Sequence, residues 1–584
     1  MDADVVIAGA GPTGLLLAAE LRLAGASVLV LERRTEPDPV PRANGLVGQV
    51  VEVLYHRGLF RDLARHSKGP GAALRRLLTG AYGDRPHPIR AFSYAGFRLD
   101  LRRLRPNPLH VLAVPQLHME QVLARHAGGL GAEIRRGHGL TGLAQDADGV
   151  TVEVDGPDGG YRVRARYLVG CDGSHSTVRK AAGIGFPGET SRELVIRMAH
   201  VVLPRAARTA AGALRAGDAV YRPYQLHRTP HGALTLASFI PGVHVVSTHE
   251  WDAPPPGDHV PVSLDEIRDS LSRVVGAPVP VEAPPVGRPW ILRRLTDRNS
   301  RVAEPYRTGR VFVAGDAAHV FAGFGGSNLN LGLQDVVNLA WKLAAVLRGD
   351  VPEALLDTYQ AERAPLARRA LVHTAEQAAL MAPGDEVTAR REAFAVRLRD
   401  PEFLGGIAAG MAGTDVAYDL GGGHPLVGRL VPDLRLVVAG RRTRLAALLR
   451  HARPLLLDLT GAEIAADTQA DPEAPTEGET PAAAEIPAAR ETPATGQIPA
   501  VGEVPAAGEV PAAGEGRAAG GTPLSAAVQP WRDLVSVVAA RARDRSAPPA
   551  LLVRPDGYVA WAAAVPGDAT GLAEALTRWF GPPR

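Results

Sequence analysis

A chain of 584 residues is too long for one ordinary hydrophobic core, so two or three domains are expected. Its 65 Lys and Arg nearly balance its 62 Asp and Glu, and no basic block of the kind that tracks a nucleic-acid backbone is present. The single cysteine, Cys171, excludes an intrachain disulfide framework and a cysteine-based zinc site. No apolar run approaches membrane-spanning length, and the N-terminus enters a strand without a signal-peptide pattern. A cytoplasmic protein with no metal, no nucleic-acid partner and no membrane partner is expected.

Residues 5–8 read as a short buried strand, 13–24 as a helix that Gly25 ends, and 27–31 as a second strand. This is the opening βαβ unit of a dinucleotide fold. Residues 46–66 and 117–127 read as helices, and 150–155 with 161–169 as a hairpin. From about 186 to 290 the pattern turns strand-like, as in a sheet domain inserted into the nucleotide fold. A buried strand returns at 311–314, followed by helices at 330–348 and about 352–381. After residue 400, segments 455–459 and 551–557 read as strands of a small third α/β unit. Between them prolines recur every six residues from 481 to 511. This repeat has too little apolar surface to offset chain entropy, so 466–522 is expected to be disordered and to carry no function.

Three motifs carry chemistry. In Gly9-Ala10-Gly11-Pro12-Thr13-Gly14, Gly9 permits a tight turn and Gly11 lets a pyrophosphate approach the backbone. Gly14 allows close packing of helix on strand. Glu32, at the end of the next strand, is placed to accept hydrogen bonds from a ribose. The second motif runs from Tyr167 through Asp172-Gly173 to Ser176 and Arg179. The third ends a strand in Gly315-Asp316-Ala317-Ala318-His319, where Asp316 can bond a sugar-alcohol hydroxyl. It leads to Gly325-Gly326-Ser327-Asn328-Leu329-Asn330, which opens a helix whose N-terminus favours negative charge.

In this order and spacing the motifs resemble the para-hydroxybenzoate hydroxylase family of flavoprotein monooxygenases, over roughly residues 1–400. Smaller features agree. Pro41-Arg42-Ala43-Asn44-Gly45 looks like the family's flavin-contacting arginine loop, and Gln116 to Glu120 like its Gln-x-x-x-Glu helix start. The helix from Gln334-Asp335 to Asn338-Leu339-Ala340-Trp341-Lys342 is similar as well. The segment from Gly428 to Leu434, the strand at Leu455, and Arg554 to Trp561 resemble the thioredoxin-like tail of aromatic polyketide hydroxylases. That tail has no cysteine here, so a structural or dimer-contact role is expected of it.

The resemblance implies an α/β fold: a Rossmann-type FAD-binding domain in two parts (1–185 and 288–400), an inserted substrate-binding sheet (186–287), and a thioredoxin-like domain (401–584). It implies FAD bound by Gly9, Gly11, Pro12, Thr13, Gly14, Glu32, Arg33 and Arg42. Gln116, Asp172, Asp316, Gly326, Ser327, Asn328, Leu329 and Asn330 complete that set. It also implies a cycle in which NADPH or NADH reduces the flavin and the reduced flavin takes up O2. The resulting C4a-hydroperoxide passes one oxygen atom to an aromatic ring and one to water. Baeyer–Villiger insertion or ring cleavage, and a flavin protein that only sequesters an aromatic drug, remain alternatives. The favoured substrate is a polyketide-like polycyclic aromatic, and the protein is expected to be a monomer or homodimer.

One loop departs from the family pattern. Ala322-Gly323-Phe324 replaces a proline segment, and Asn328 stands where the last glycine normally sits. Asn tolerates left-handed backbone, so Asn328 is expected to preserve the turn. Gly323 and Phe324, with Tyr221, Arg222, Tyr224, His227 and Phe239 of the inserted sheet, are the candidate pocket residues. His319 is expected to pack or to bond backbone rather than act as a base, and Cys171 to be buried rather than reactive.

Overall fold

The computed structural model describes residues 1–38, 43–65, 84–251, 260–286, 290–322, 327–460 and 523–584, without the side chains of Phe239, Ser327 and Pro523. The proline-rich repeat lies outside them. Among the described residues, the three largest sheets carry the fold. The first has eight strands. Its centre is formed by β1 (Ala3–Ala8), β2 (Val28–Glu32), β3 (Gly159–Gly170) and β4 (Val311–Val313). β3 and β2 flank β1, β4 lies beyond β3, and all of these pairings are parallel. Their runs of Val, Ile and Leu are buried on both faces, as parallel strands covered on both sides require. The first half of β3 also pairs antiparallel with Val150–Gly156, which confirms the expected hairpin.

Helix α1 (Pro12–Leu23) starts with proline at its first position, where a missing N–H is harmless. Gly25, at φ +90°, follows its C-cap. Helix α2 (Gln49–His56) occupies part of the segment expected to be helical between 46 and 66; a separate short helix, Phe60–Ala64, follows it.

The second sheet is antiparallel throughout, with five strands. Numbered in chain order, these are β5 (Leu194–Val201), β6 (Gln225–Thr229), β7 (Gly232–Ile240), β8 (Val243–Trp251) and β9 (Leu292–Leu295). One face packs against α3 (Leu264–Val275) through Leu234, Leu236 and Val246 against Ile267, Leu271 and Val274. Ser263 caps this helix by accepting from the Glu266 N–H, and Gly276 ends it in the left-handed conformation. Buried charges secure the packing. Arg197 bonds Glu250 at 2.6 Å and Glu266 at 2.7 Å, and Arg294 bonds Glu266 at 2.6 Å.

Two helices return the chain to the first sheet: α4 (Ser327–Leu347) and α5 (Asp357–Met381). The shorter α6 (Pro401–Ala412) follows, and then the third sheet. Its strands are β10 (Leu455–Asp458), β11 (Ser536–Ala539), β12 (Ala550–Val553) and β13 (Val559–Ala562). Their order is β11-β10-β12-β13; the first pair is parallel and the other two antiparallel. Closed by the helix Leu572–Phe580, this is the thioredoxin-like unit expected of the tail. The strand expected over 551–557 stops at Val553. Pro555 and Gly557, the latter at φ +86°, make residues 554–557 a tight turn, closed by the Arg554 N–H on the Tyr558 carbonyl.

That turn is driven into the rest of the molecule. Arg554 is fully buried and bonds Glu362 of α5 through its two terminal guanidinium nitrogens, at 2.9 and 2.8 Å. Lys342 of α4 lies 3.0 Å from the same carboxylate. Burial would raise the Glu362 pKa, but Arg554 and Lys342 outweigh it and hold the group far below the usual range. Burial lowers Lys342 to about 8 despite Glu362. On the other side of the turn, Arg57 bonds Glu20 of α1 at 2.7 and 2.9 Å and donates to the Pro555 and Leu449 carbonyls.

His56 sits in this interface, against Gly557, and is 1% exposed. Burial lowers its pKa from 6.5 to about 4. The unfolded chain therefore takes up a proton below pH 6.5 that folded His56 refuses until about pH 4, so stability falls across that window. Urea unfolding measured from pH 7 to 4 is expected to show this decline, and His56→Asn is expected to flatten its slope.

Candidate active site

The carboxyl ends of the parallel strands bring the three motifs together, where open α/β sheets bind ligands. The 9–14 turn follows β1, Glu32 ends β2, Asp172 follows β3 and Asp316 follows β4. Backbone bonds tie these ends to one another. Gly9 N–H donates to Leu31, Cys171 N–H to Ala8 and Ala314 N–H to Gly170.

The glycines are required by contact. Gly9 has φ +103°, and a Cβ there would lie 2.4 Å from the Cys171 carbonyl oxygen. A Cβ on Gly14 would lie 2.0 Å from the Gly9 oxygen. At Gly11 the same atom would meet nothing within 4 Å. The space before this turn is therefore open, at the start of a helix whose first N–H groups have no partner within it. A phosphate fits there without displacing protein atoms. Pro12 is buried at the helix start, and Thr13 packs beneath Gly315 and Gly332.

Glu32 receives the Ala10 N–H at 2.8 Å and the Arg34 N–H at 3.0 Å. These bonds fix the carboxylate beside the glycine turn and leave each oxygen a further lone pair. Arg33 is exposed next to it. Gln116 donates to Glu120 at 2.8 Å, and its N–H binds the Ala43 carbonyl. Asp172 caps a short helix by accepting from Thr177 and Val178, while its Oδ1 is buried without a hydrogen-bond partner. Arg179, stacked on Phe186, donates to the Ala317 carbonyl at 2.9 Å and so links the second motif to the third. Asp316 is exposed on the Gly315–Ala317 turn.

Leu329 and Asn330 lie in the first turns of α4, and the Asn330 side chain accepts the Val47 N–H at 2.9 Å. Asn328 is helical rather than left-handed. The helix already begins at Ser327, so residue 328 needs no special φ, contrary to the expected turn. Arg42, Gly323, Phe324 and Gly326 lie outside the described residues.

His319 is removed from solution chemistry, whereas Cys171 is half-buried rather than fully buried. His319 is fully buried, 2.7 Å from Asp335 and stacked on Phe321. Asp335 also receives Arg363 at 2.8 Å and the Gly315 N–H at 3.3 Å. Burial would raise the Asp335 pKa, but His319 and Arg363 outweigh it and keep the carboxylate ionised. Burial pushes the Cys171 thiol well above its ordinary value.

Beside the first turns of α4 opens a cavity of about 1270 Å³. It is larger than the roughly 300–1,000 Å³ of a drug-sized ligand pocket. Asn330 and Gln334 stand at one end with Asn44 and Gly45. The second sheet supplies one wall from the face opposite α3. Leu295, Ile196 and His249 form one cross-strand row, and Met198, Ser247 and Thr235 the next. Helix α5 supplies another wall at helical spacing: Leu366, Arg369, Ala370, His373, Thr374 and Gln377. Gly406, Ile407, Gly410 and Met411 of α6 complete it.

Of the pocket residues expected from sequence, Tyr224 lines this cavity, its hydroxyl donating to the Ser238 carbonyl. Tyr221, Arg222 and His227 do not. The Tyr221 ring packs against the core beneath α3 and meets His227 edge-on, while the His227 ring nitrogen bonds the Arg222 carbonyl at 2.8 Å. The Phe239 side chain lies outside the description. The sheet rows and the α5 stripe were missed. Their period-2 and period-3.6 patterns were readable, but either face of each element could have been the core.

Comparison with known proteins agrees with this geometry. Residues 2–374 match the family described as "FAD binding domain". Residues 424–495 and 516–583 match "Aromatic-ring hydroxylase, C-terminal". A 12-dehydrotetracycline 5-monooxygenase/anhydrotetracycline 6-monooxygenase of Streptomyces rimosus subsp. rimosus is 38% identical, with 99% of each chain covered. A rifampicin monooxygenase of Streptomyces venezuelae is 40% identical over 78% of this chain and 87% of its own length. The solved OxyS anhydrotetracycline hydroxylase from Streptomyces rimosus superposes with a TM-score of 0.77 at 36% identity, covering both chains fully. The chain belongs to the FAD-dependent aromatic-ring hydroxylases. It is a flavin-dependent monooxygenase, and FAD is its cofactor.

Asp335→Ala would leave the Arg363 guanidinium buried without its carboxylate and release the Gly315 turn. A loss of about 3–5 kcal/mol in urea unfolding is expected. FAD is also expected to separate from the variant on gel filtration.

Proposed function

We propose that the chain hydroxylates a polycyclic aromatic substrate of polyketide type, using O2 and NAD(P)H. The observation that carries this reading is the 1270 Å³ cavity, which runs from the α4 end of the FAD site between the second sheet and α5. A single phenol would leave most of that volume to water, whereas several fused rings would exclude it. Relatives whose names carry anhydrotetracycline and rifampicin support the size class. When bound, FAD accepts hydride and supplies the oxygen-transfer chemistry.

The chain's own residues bind and orient. The amides of the 9–14 turn receive the pyrophosphate, with Gly11 permitting its approach, and Pro12 and Thr13 set the helix that bears them. Glu32 accepts from the adenosine ribose, with Arg33 beside it. Asp172 Oδ1 has a free acceptor position, Asp316 reaches a ribityl hydroxyl, and Gln116 helps shape the flavin's border. Residues 327–330 open α4 towards the ring system and favour negative charge there. Ile196, Met198 and Leu366 give the substrate an apolar bed. The C-terminal unit acts as a structural support.

Incubation of the FAD-loaded protein with anhydrotetracycline, NADPH or NADH, and ¹⁸O2 tests this reading. Ligand-stimulated oxidation of the nicotinamide and one labelled oxygen in a ring hydroxyl are expected. Label in an ester oxygen would move the assignment to Baeyer–Villiger chemistry, and no stimulated oxidation across a panel of polycyclic phenols would refute the reading. Nicotinamide consumption is the discriminating signal, because a protein named dialkyldecalin synthase, from Streptomyces rugosporus, is 32% identical over the full chain. For the cofactor site, Gly11→Ala is expected to leave the thermal midpoint of the apoprotein unchanged, since its Cβ meets open space. It should weaken FAD binding at least about tenfold in a fluorescence titration, a difference of roughly 1.4 kcal/mol. Unaltered affinity would remove the pyrophosphate from this turn.

A further inference from the structure

We propose that the cavity selects an anionic aromatic substrate, a phenolate, enolate or carboxylate, and that Arg90 and Arg98 at its mouth recognise the charge. The inference rests on the hydroxylase reading and narrows its substrate class.

The charge of the lining is unbalanced. Among the described residues that line the cavity are three arginines (Arg90, Arg98 and Arg369) and one carboxylate, Asp415, with no lysine and no glutamate. Asp415 is taken by Arg369 at 3.0 Å. The other two positive charges have no counterpart: among the described residues, neither the Arg90 nor the Arg98 side chain has a hydrogen-bond or ion-pair partner. Arginines elsewhere near the cavity are committed. Arg197 bonds Glu250, Arg363 bonds Asp335, and Arg391 donates to two carbonyls. An excess of two positive charges at the entrance of a chamber whose remaining charges, Arg369 and Asp415, cancel favours a ligand that brings negative charge.

The frame that carries the two arginines is fixed. Strands Ala91–Tyr94 and Phe97–Asp100 form a hairpin in which Ser93 stands opposite Arg98. Ala95 and Gly96 form its two-residue loop, both with positive φ, at 45° and 78°. This matches the twist of a two-residue hairpin turn. Arg391 holds the loop through the Ala95 carbonyl at 2.7 Å, and Leu101 N–H holds the strand start through the Arg90 carbonyl at 3.0 Å. Tyr94 and Leu99 are buried on the opposite face. The hairpin fixes the two backbone positions, the unpartnered side chains are left to turn onto a ligand, and guanidinium matches a two-oxygen anion.

The charge also suits the reaction. Electrophilic oxygen transfer is faster to an electron-rich ring, and deprotonating a phenol or enol enriches it. A nearby cation stabilises the deprotonated form of an acid, so the same arginines would bind the substrate and raise its reactive fraction.

The test uses the FAD-loaded full-length protein and two matched probes: 1,8-dihydroxyanthraquinone-3-carboxylate and its 3-carboxamide. Binding is read from the flavin absorbance. The carboxylate is expected to bind at least about tenfold more tightly at low salt. The advantage should shrink as ionic strength rises, because both arginines are at an exposed mouth. The pair Arg90→Gln and Arg98→Gln should abolish it while leaving the carboxamide Kd within about twofold. The pair of lysine replacements should keep part of it. Equal affinities in the native protein, an advantage that survives the double glutamine variant, or no binding of either probe would overturn the proposal. So would a double variant in which only the KM for NAD(P)H rises, since the arginines would then serve nucleotide phosphate. Because the readout is binding, it fails independently of the hydroxylase reading, whose failure is the absence of ligand-stimulated nicotinamide oxidation.

Discussion

One buried carboxylate, Asp335, organises the region around the site. Its two oxygens serve His319, Arg363 and the Gly315 N–H. Through them α4, α5 and the end of β4 become a single unit. Arg363 extends the unit by donating to the Tyr418 hydroxyl and the Leu331 carbonyl. A buried ion pair is weak evidence for stability, because desolvation offsets much of the attraction. Its effect here is geometric: the turn that presents Asp316 and the helix that presents Asn330 are held in one arrangement.

A second set of buried charges does the same for the C-terminal unit. Arg554 reaches out of the 554–557 turn to Glu362 while Arg57 reaches into it, and the carboxylates of these two arginines, Glu362 and Glu20, belong to the helices that frame the nucleotide fold. Trp341 and Trp579 enclose the Arg554 guanidinium at 5.1 and 4.8 Å from its carbon. With no cysteine in the unit, thiol–disulfide chemistry is closed to it, and this contact ties it to the nucleotide fold.

The strand-end motifs were legible in the sequence because each carries its own local cause. Gly9 and Gly14 leave no space for a side chain, and Glu32 stands at the end of an uninterrupted apolar strand. The cavity was not legible in the same way. Its walls come from hairpin 91–100, the second sheet, α5 and α6, and each pattern is equally compatible with either face turned inward. Tyr221 and His227 were attractive by residue type and by their place in the inserted sheet, and the packing under α3 took them elsewhere. The polar residues on the inner face of α4 stand out in the sequence. Asp335, Asn338 and Lys342 recur at helical spacing in an apolar helix, but their partners Arg363, Glu362 and Asp556 are 20 to more than 200 residues away. Nothing local identifies them.

The 554–557 turn bears on how modular this architecture is. The C-terminal unit has its own sheet and its own apolar core, and by chain order it resembles a cassette. The contacts of its turn belong to the other partner. A graft of this unit from a relative would set a foreign turn against Glu20, Arg57, Lys342 and Glu362, four ionisable groups with little or no exposure to water. Exchange between relatives therefore has to carry those four positions as one inheritance with the tail. The boundary that recombination can respect runs through side chains on α1, α4 and α5, not through the linker after residue 412.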